Sequence, residues 1–94
     1  MKVKNIVGTE DNNCSCGSWL EHWLTYSGNK SLPGFCSEIS CTNKPEVGAH
    51  IIKVGSTDSD WYIVPLCKAH NKKSDEFEIV KINLALASKK KTCG

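Results

Sequence analysis

The first thirteen positions are polar apart from a small apolar island, Val3, Ile6 and Val7, sized for one short strand or a loose end. After a turn-like stretch at residues 12–17 comes the first strong pattern. Ser18-Trp19-Leu20-Glu21 has the form of a capping box, with a hydroxyl at N-cap and a carboxylate at N3. Trp19, Leu20, Trp23 and Leu24 then fall at helical spacing, and Tyr26 follows three after Trp23. Gly28 supplies a left-handed stop. The pattern predicts a helix over residues 18–27 with an aromatic face.

Residues 27–45 are rich in Ser, Gly, Pro and Asn and predict loop. Val47 to Val54 and Trp61 to Val64 are apolar and β-branched, separated by six turn-forming residues, Gly55 to Asp60. They predict a β-hairpin with a longer loop. Pro65 is expected to end the second strand and to lead into a helix from about Leu66 to Lys73. Farther on, Val80, Ile82, Leu84 and Leu86 alternate with Lys81, Asn83, Ala85 and Ala87. This period of two predicts a strand within 77–87 with one face, the even positions, buried, although the Ala and Leu content also tolerates a helix. The basic end, residues 89–94, reads as solvated tail.

Ninety-four residues suit one domain, and the apolar fraction of 39% promises a core with little stability to spare. No apolar run approaches the roughly 20 residues of a membrane span. The N-terminus also lacks a signal-peptide core. Both point to a cytoplasmic protein whose thiols stay reduced. A net charge of +2 neither announces nor excludes a nucleic-acid partner.

Six cysteines give that picture its chemistry. Cys36-x4-Cys41 and Cys67-x2-His70 are two close-spaced pairs of soft ligands, one before the hairpin and one on the second helix. A structural Zn²⁺ takes four such ligands as a tetrahedron, and each close pair supplies two neighbouring corners. The competing readings are buried cysteines beside a surface histidine, or three disulfides with fifteen possible pairings. The Cys-x-x-His spacing favours metal. Cys14, Cys16 and Cys93 remain, and with His22 they would make a second site, or else three free thiols. Cys-x-Cys fits tetrahedral zinc less well than the wider spacings.

Ligand pair, strand, strand, then a helix carrying the second pair is a ββα treble-clef order. Val47-Gly-Ala-His50-Ile-Ile and Tyr62-Ile-Val-Pro-Leu-Cys-Lys-Ala-His-Asn71 resemble the HNH endonucleases, the zinc-supported branch of the His-Me finger nucleases. The resemblance covers residues 36–73. It implies a small α+β, zinc-stabilised treble clef, here with an N-terminal helical cap (14–28) and a C-terminal strand and basic tail (77–94). It also implies that His50 activates water as general base and that Asn71 binds Mg²⁺ or a similar divalent ion at the scissile phosphate. Two positions depart from the family. Tyr62 stands near the central asparagine, and Ala49 stands where many members carry a second metal ligand. Asp58 and Asp60 in the hairpin loop are alternative oxygen donors. The ordinary alternatives are a strand histidine and an exposed asparagine.

In that fold, helix and hairpin hold a nucleic-acid minor groove, and Lys53, Lys68, Lys72, Lys73 and Lys89–Lys91 suit phosphate contacts. Asp75, Glu76 and Glu78 offset them. The Trp19, Trp23 and Tyr26 stripe reads as core before it reads as a base-stacking platform. Three functions fit: a catalytically reduced HNH-like module binding DNA or RNA, an active endonuclease using His50 and Asn71, and a zinc-stapled adaptor for a protein partner. Ala49 favours the first over the second.

Overall fold

A computed structural model describes residues 1–6, 18–29, 31–57, 60–73 and 75–87. Among these, the elements in chain order are β1 (Lys2–Asn5), α1 (Trp19–Tyr26), β2 (Val47–Lys53), β3 (Tyr62–Leu66), α2 (Lys68–Asn71), β4 (Phe77–Glu78) and β5 (Ala85–Leu86). The result is a small α+β fold in which five antiparallel strands run in the order β4-β1-β2-β3-β5. No described helix is long and apolar enough to cross a membrane.

Of the apolar island at the start of the chain, Val3 lies in an inner strand. In β1, Val3 and Asn5 are buried while Lys2 and Lys4 are exposed, the alternation of a strand with one covered face. It pairs with β2 through Val3 opposite Lys53 and Asn5 opposite Ile51, and with β4 through Val3 opposite Phe77.

Helix α1 forms where the capping box places it. The Ser18 Oγ accepts the Glu21 amide at 3.1 Å, and Gly28 has φ 85° just beyond the Ser27 C-cap. Trp23 is fully buried and donates from Nε1 to the Asn83 carbonyl at 2.9 Å. His22 is equally buried, with Nε2 2.6 Å from the Leu86 carbonyl. Tyr26, expected on the buried face, is 44% exposed.

Strand register sorts the side chains of the hairpin onto two faces, since residues directly opposite one another share a face. Ala49, Ile51, Val64 and Leu66 join Val3, Cys36, Cys67, Phe77 and Ile79 in the larger core on one face. On the other face His50 stands opposite Ile63, and Ile63 packs with Trp23, Ala85 and Ala87 beneath α1. Gly48 permits that second layer. A Cβ there would come within 2.6 Å of the Leu20 amide nitrogen and the Trp19 carbonyl oxygen, so α1 rests directly on the strand backbone.

Two expectations need correction. Pro65 does not end β3; it pairs opposite Gly48, and the strand continues to Leu66. The Leu66 carbonyl accepts the Glu46 amide on the β2 side, so Pro65 faces away from β2. There its missing N–H breaks no ladder bond, because β5 pairs only with Tyr62 and Ile63. Helix α2 is therefore a single turn, shorter than the predicted 66–73.

The C-terminal segment is also not one strand. Phe77–Glu78 and Ala85–Leu86 lie on opposite edges of the sheet, joined by a crossing segment. Its buried positions are Phe77, Ile79, Ala85 and Ala87, whereas Val80 is 38% exposed, the reverse of the predicted phase. The space under α1 accepts alanines, and Phe77 and Ile79 set the phase on the other edge.

Candidate metal centre

The segment between α1 and β2 closes a compact turn. The Cys36 amide donates to the Asn43 carbonyl at 2.7 Å, and the Cys41 amide donates to the Glu38 carbonyl at 3.1 Å. This turn is stitched to the sheet at both ends of its inner half. Ser37 donates to the Pro65 carbonyl at 3.0 Å, and Glu38 makes a bridge with Ile79. The carbonyl that Pro65 directs away from β2 is thus the anchor for the turn that carries the first ligand pair.

The second pair sits at the entry to α2. Cys67, extended at φ −72° and ψ 164°, occupies the N-cap, and its carbonyl accepts the Asn71 amide at 3.0 Å. One helical turn brings His70 back over Cys67. The Glu46 carboxylate accepts the Lys68 amide at 3.3 Å, and Asn5 Nδ2 donates to the carbonyls of His70 and Lys73 at 2.7 and 2.9 Å. Both ends of the short helix are therefore held from the sheet side.

Cys36, Cys41, Cys67 and His70 converge, their ligand atoms all within 4.8 Å of one another. The Cys41 and Cys67 sulfurs are 3.9 Å apart, His70 Nδ1 is 3.8 Å from the Cys36 sulfur, and it is 3.2 Å from the Cys67 sulfur. Zn–S and Zn–N bonds of about 2.3 and 2.05 Å at tetrahedral angles require edges of about 3.8 Å between sulfurs and about 3.6 Å between sulfur and nitrogen. The 3.9 and 3.8 Å spacings lie within about 0.2 Å of those edges, and the 3.2 Å spacing falls about 0.4 Å short. They do not match a disulfide, whose sulfurs stand about 2.05 Å apart. The cluster is a Cys3His set compatible with structural Zn²⁺.

The electrostatics of the cluster favour one thiolate from the start. Burial raises the Cys67 thiol, but the His70 amide, the His70 ring and the two neighbouring thiols outweigh it and bring it down to about 6. Cys36 is pushed up to about 11, chiefly by burial. Glu38 is held below the usual carboxylate range by its hydrogen bonds from Ser40, against an opposing push from burial, with His70 and Lys73 nearby acting in the same direction as Ser40. It lies 3.2 Å from His70 Nε2, the ring nitrogen turned away from the sulfurs. Sequence reasoning missed Glu38. Its one signal was position, inside the Cys-x4-Cys turn.

His50 and Asn71 are not brought together. His50 is 6% exposed on the face under α1, its ring edge-on to Trp19 at 4.4 Å between centroids and to Trp61 at 6.3 Å. Asn71 belongs to α2, which is tied by Asn5 to the opposite face. Ala49, where the resemblance expects a metal ligand, is packed in the larger core at 1% exposure. Asp60 is exposed in the hairpin loop. Asp58, the second-site cysteines Cys14, Cys16 and Cys93, and Lys89–Lys91 lie outside the described residues, while His22 engages Leu86 as above. Lys68, Lys72 and Lys73 are exposed, and Lys53 lies over the Tyr62 ring at 4.6 Å. Comparison with protein families, with curated proteins and with solved structures gave no match.

Proposed function

We propose that the chain is a zinc-stapled, HNH-like nucleic-acid-binding module that has set aside nuclease chemistry. The convergence of Cys36, Cys41, Cys67 and His70 carries the reading. Four protein donors close the coordination sphere, so the ion would act in folding and leave no position for substrate or water. The order of ligand pair, hairpin and ligand pair on a helix agrees with the ββα resemblance. Exposed Lys68, Lys72 and Lys73 on and just after α2 supply the charge for phosphate contacts. The placement of His50 beneath Trp19, on the face away from Asn71, argues against hydrolysis. A divalent ion at Asn71 therefore has no part in this reading.

The test is metal content followed by binding. One zinc per chain is expected, and then DNA or RNA affinity that falls with salt. Three phosphate contacts correspond to a log–log slope of about −2.7 on duplex DNA, or roughly 40-fold weaker binding from 50 to 200 mM salt. Replacing Lys68, Lys72 and Lys73 together should remove that slope. Binding without salt dependence, or none, would overturn the nucleic-acid reading. The second reading, a protein adaptor, has one observation in its favour: Phe35, just before the ligand turn, and Ile39, within it, are 59% and 61% exposed.

A further inference from the structure

The proposed zinc site, on which this inference rests, has a buried carboxylate beside it. Glu38 is 9% exposed, and a carboxylate that deep needs dedicated partners. Its Oε1 accepts the Ser40 amide at 2.7 Å and the Ser40 hydroxyl at 2.6 Å. Its Oε2 lies 3.2 Å from His70 Nε2 and 3.1 Å from the Ser40 hydroxyl. The other nitrogen of the same ring, Nδ1, faces the sulfurs of Cys67 and Cys36. A neutral imidazole has one protonated nitrogen and one lone pair, and the hydrogen bond made by the first decides which nitrogen is left to ligate.

We propose that Glu38 is the positioning residue of the metal centre. Its carboxylate, clamped by Ser40, accepts the Nε2 proton of His70 and so fixes the tautomer and the ring plane that present Nδ1 to the metal. The Glu38 carboxylate acts on the cluster through His70, while its backbone amide, which a side-chain substitution leaves in place, hydrogen-bonds the Cys36 sulfur. The backbone of the turn is held separately, by Cys41 to the Glu38 carbonyl, Ile39 to the Glu78 carbonyl and Ser37 to the Pro65 carbonyl. The side chain can therefore be altered with those bonds in place.

The experiment compares the full chain with Glu38→Gln, Ser40→Ala and, as a control, Glu21→Gln, an exposed carboxylate in the first turn of α1. Zn²⁺ affinity is read by competition with a chromophoric chelator. The His70 tautomer and the solvent exchange of its Nε2 proton are read by long-range ¹⁵N–¹H NMR on the zinc-loaded protein. Glu38→Gln should weaken Zn²⁺ binding by about 10- to 100-fold and speed exchange of the Nε2 proton. Ser40→Ala should shift both in the same direction by less, and Glu21→Gln should leave both near wild type. A purely structural role would lower melting temperature without touching the Nε2 signal, and that result overturns the proposal. Wild-type affinity and an unchanged Nε2 signal in Glu38→Gln overturn it as well. If Glu38→Gln does not fold, Ser40→Ala decides the matter by the same two readouts. A wild-type chain that takes up no zinc overturns the zinc reading itself, and elemental analysis separates that failure from the others.

Discussion

Stripping the metal from the folded protein is the most direct perturbation of this architecture. Cys36 and Cys67 are 2% and 1% exposed and stand in one cluster with Val3, Ile51, Val64 and Leu66. An ion held by these thiols would be a constituent of the larger core. Its removal leaves those two thiols to each other, Cys41, His70, the Asn43 side chain and nearby backbone amides, all weak substitutes for the ion. At about 1–3 kcal/mol for each buried polar group left with poor partners, the loss is about 4 kcal/mol. Structural zinc contributes on the order of 10 kcal/mol in small fingers, so this figure is a lower bound. Total stabilities run to about 5–15 kcal/mol, and one kcal/mol moves the midpoint of a chain this short by roughly 4–8 °C. Thermal unfolding followed by circular dichroism should show a fall of roughly 16–32 °C, or complete unfolding, once a chelator has removed the metal. Elemental analysis must verify the removal. A metal-free protein melting within about 2 °C of the loaded one would refute the reasoning, because the cores would then be sufficient alone.

Three further outcomes follow from the opposite face of the sheet. Gly48→Ala pushes a methyl into the first turn of α1 and should cost about 1–3 kcal/mol in denaturant unfolding, with α1 displaced but the zinc retained. Trp23→Ala removes the fully buried anchor of α1 and its bond to Asn83, a loss of about 3–5 kcal/mol in the same assay. His50→Ala should lower stability by about 0.5–3 kcal/mol through lost contact with Trp19 while zinc content stays at wild type, and loss of the metal would contradict the two-face arrangement. Wild-type protein with Mg²⁺ or Mn²⁺ should cleave neither DNA nor RNA, and cleavage abolished in His50→Ala would revive the nuclease reading.

What could be read ahead of the structure was whatever local chemistry dictates. Ser18 and Glu21 mark a helix start because the cap is satisfied within four residues, and Cys67 and His70 share a side of α2 because one helical turn places them so. Even the join between the two ligand pairs followed from what four soft donors can do together. Long-range choices were hidden. The phase of residues 77–87 depends on a crossing from one sheet edge to the other, which no window of alternating residues contains. Pro65 stays in β3 because of which neighbour ends where, a matter of register rather than propensity. His50 and Asn71 sit in strings that resemble a catalytic pair, yet the face each occupies is set by pleat and packing. Glu38 looked like one more turn residue until its distance to His70 was known.

The inner position of β1 has a consequence for how the protein is made and handled. The ligand turn, hairpin and α2 are near neighbours along the chain, so they can assemble early. Strand β1 then has to come from the far N-terminal side to cover the outer edge of β2, and β4 comes from the other direction to cover β1. Until β1 arrives, β2 presents unpaired amides and carbonyls beside Ile51, a template for another chain. A peptide trimmed to residues 36–73 would keep all four donors of the Cys3His cluster and stay in that exposed condition. It should load metal yet self-associate, so the unit worth expressing is wider than the motif that betrays it.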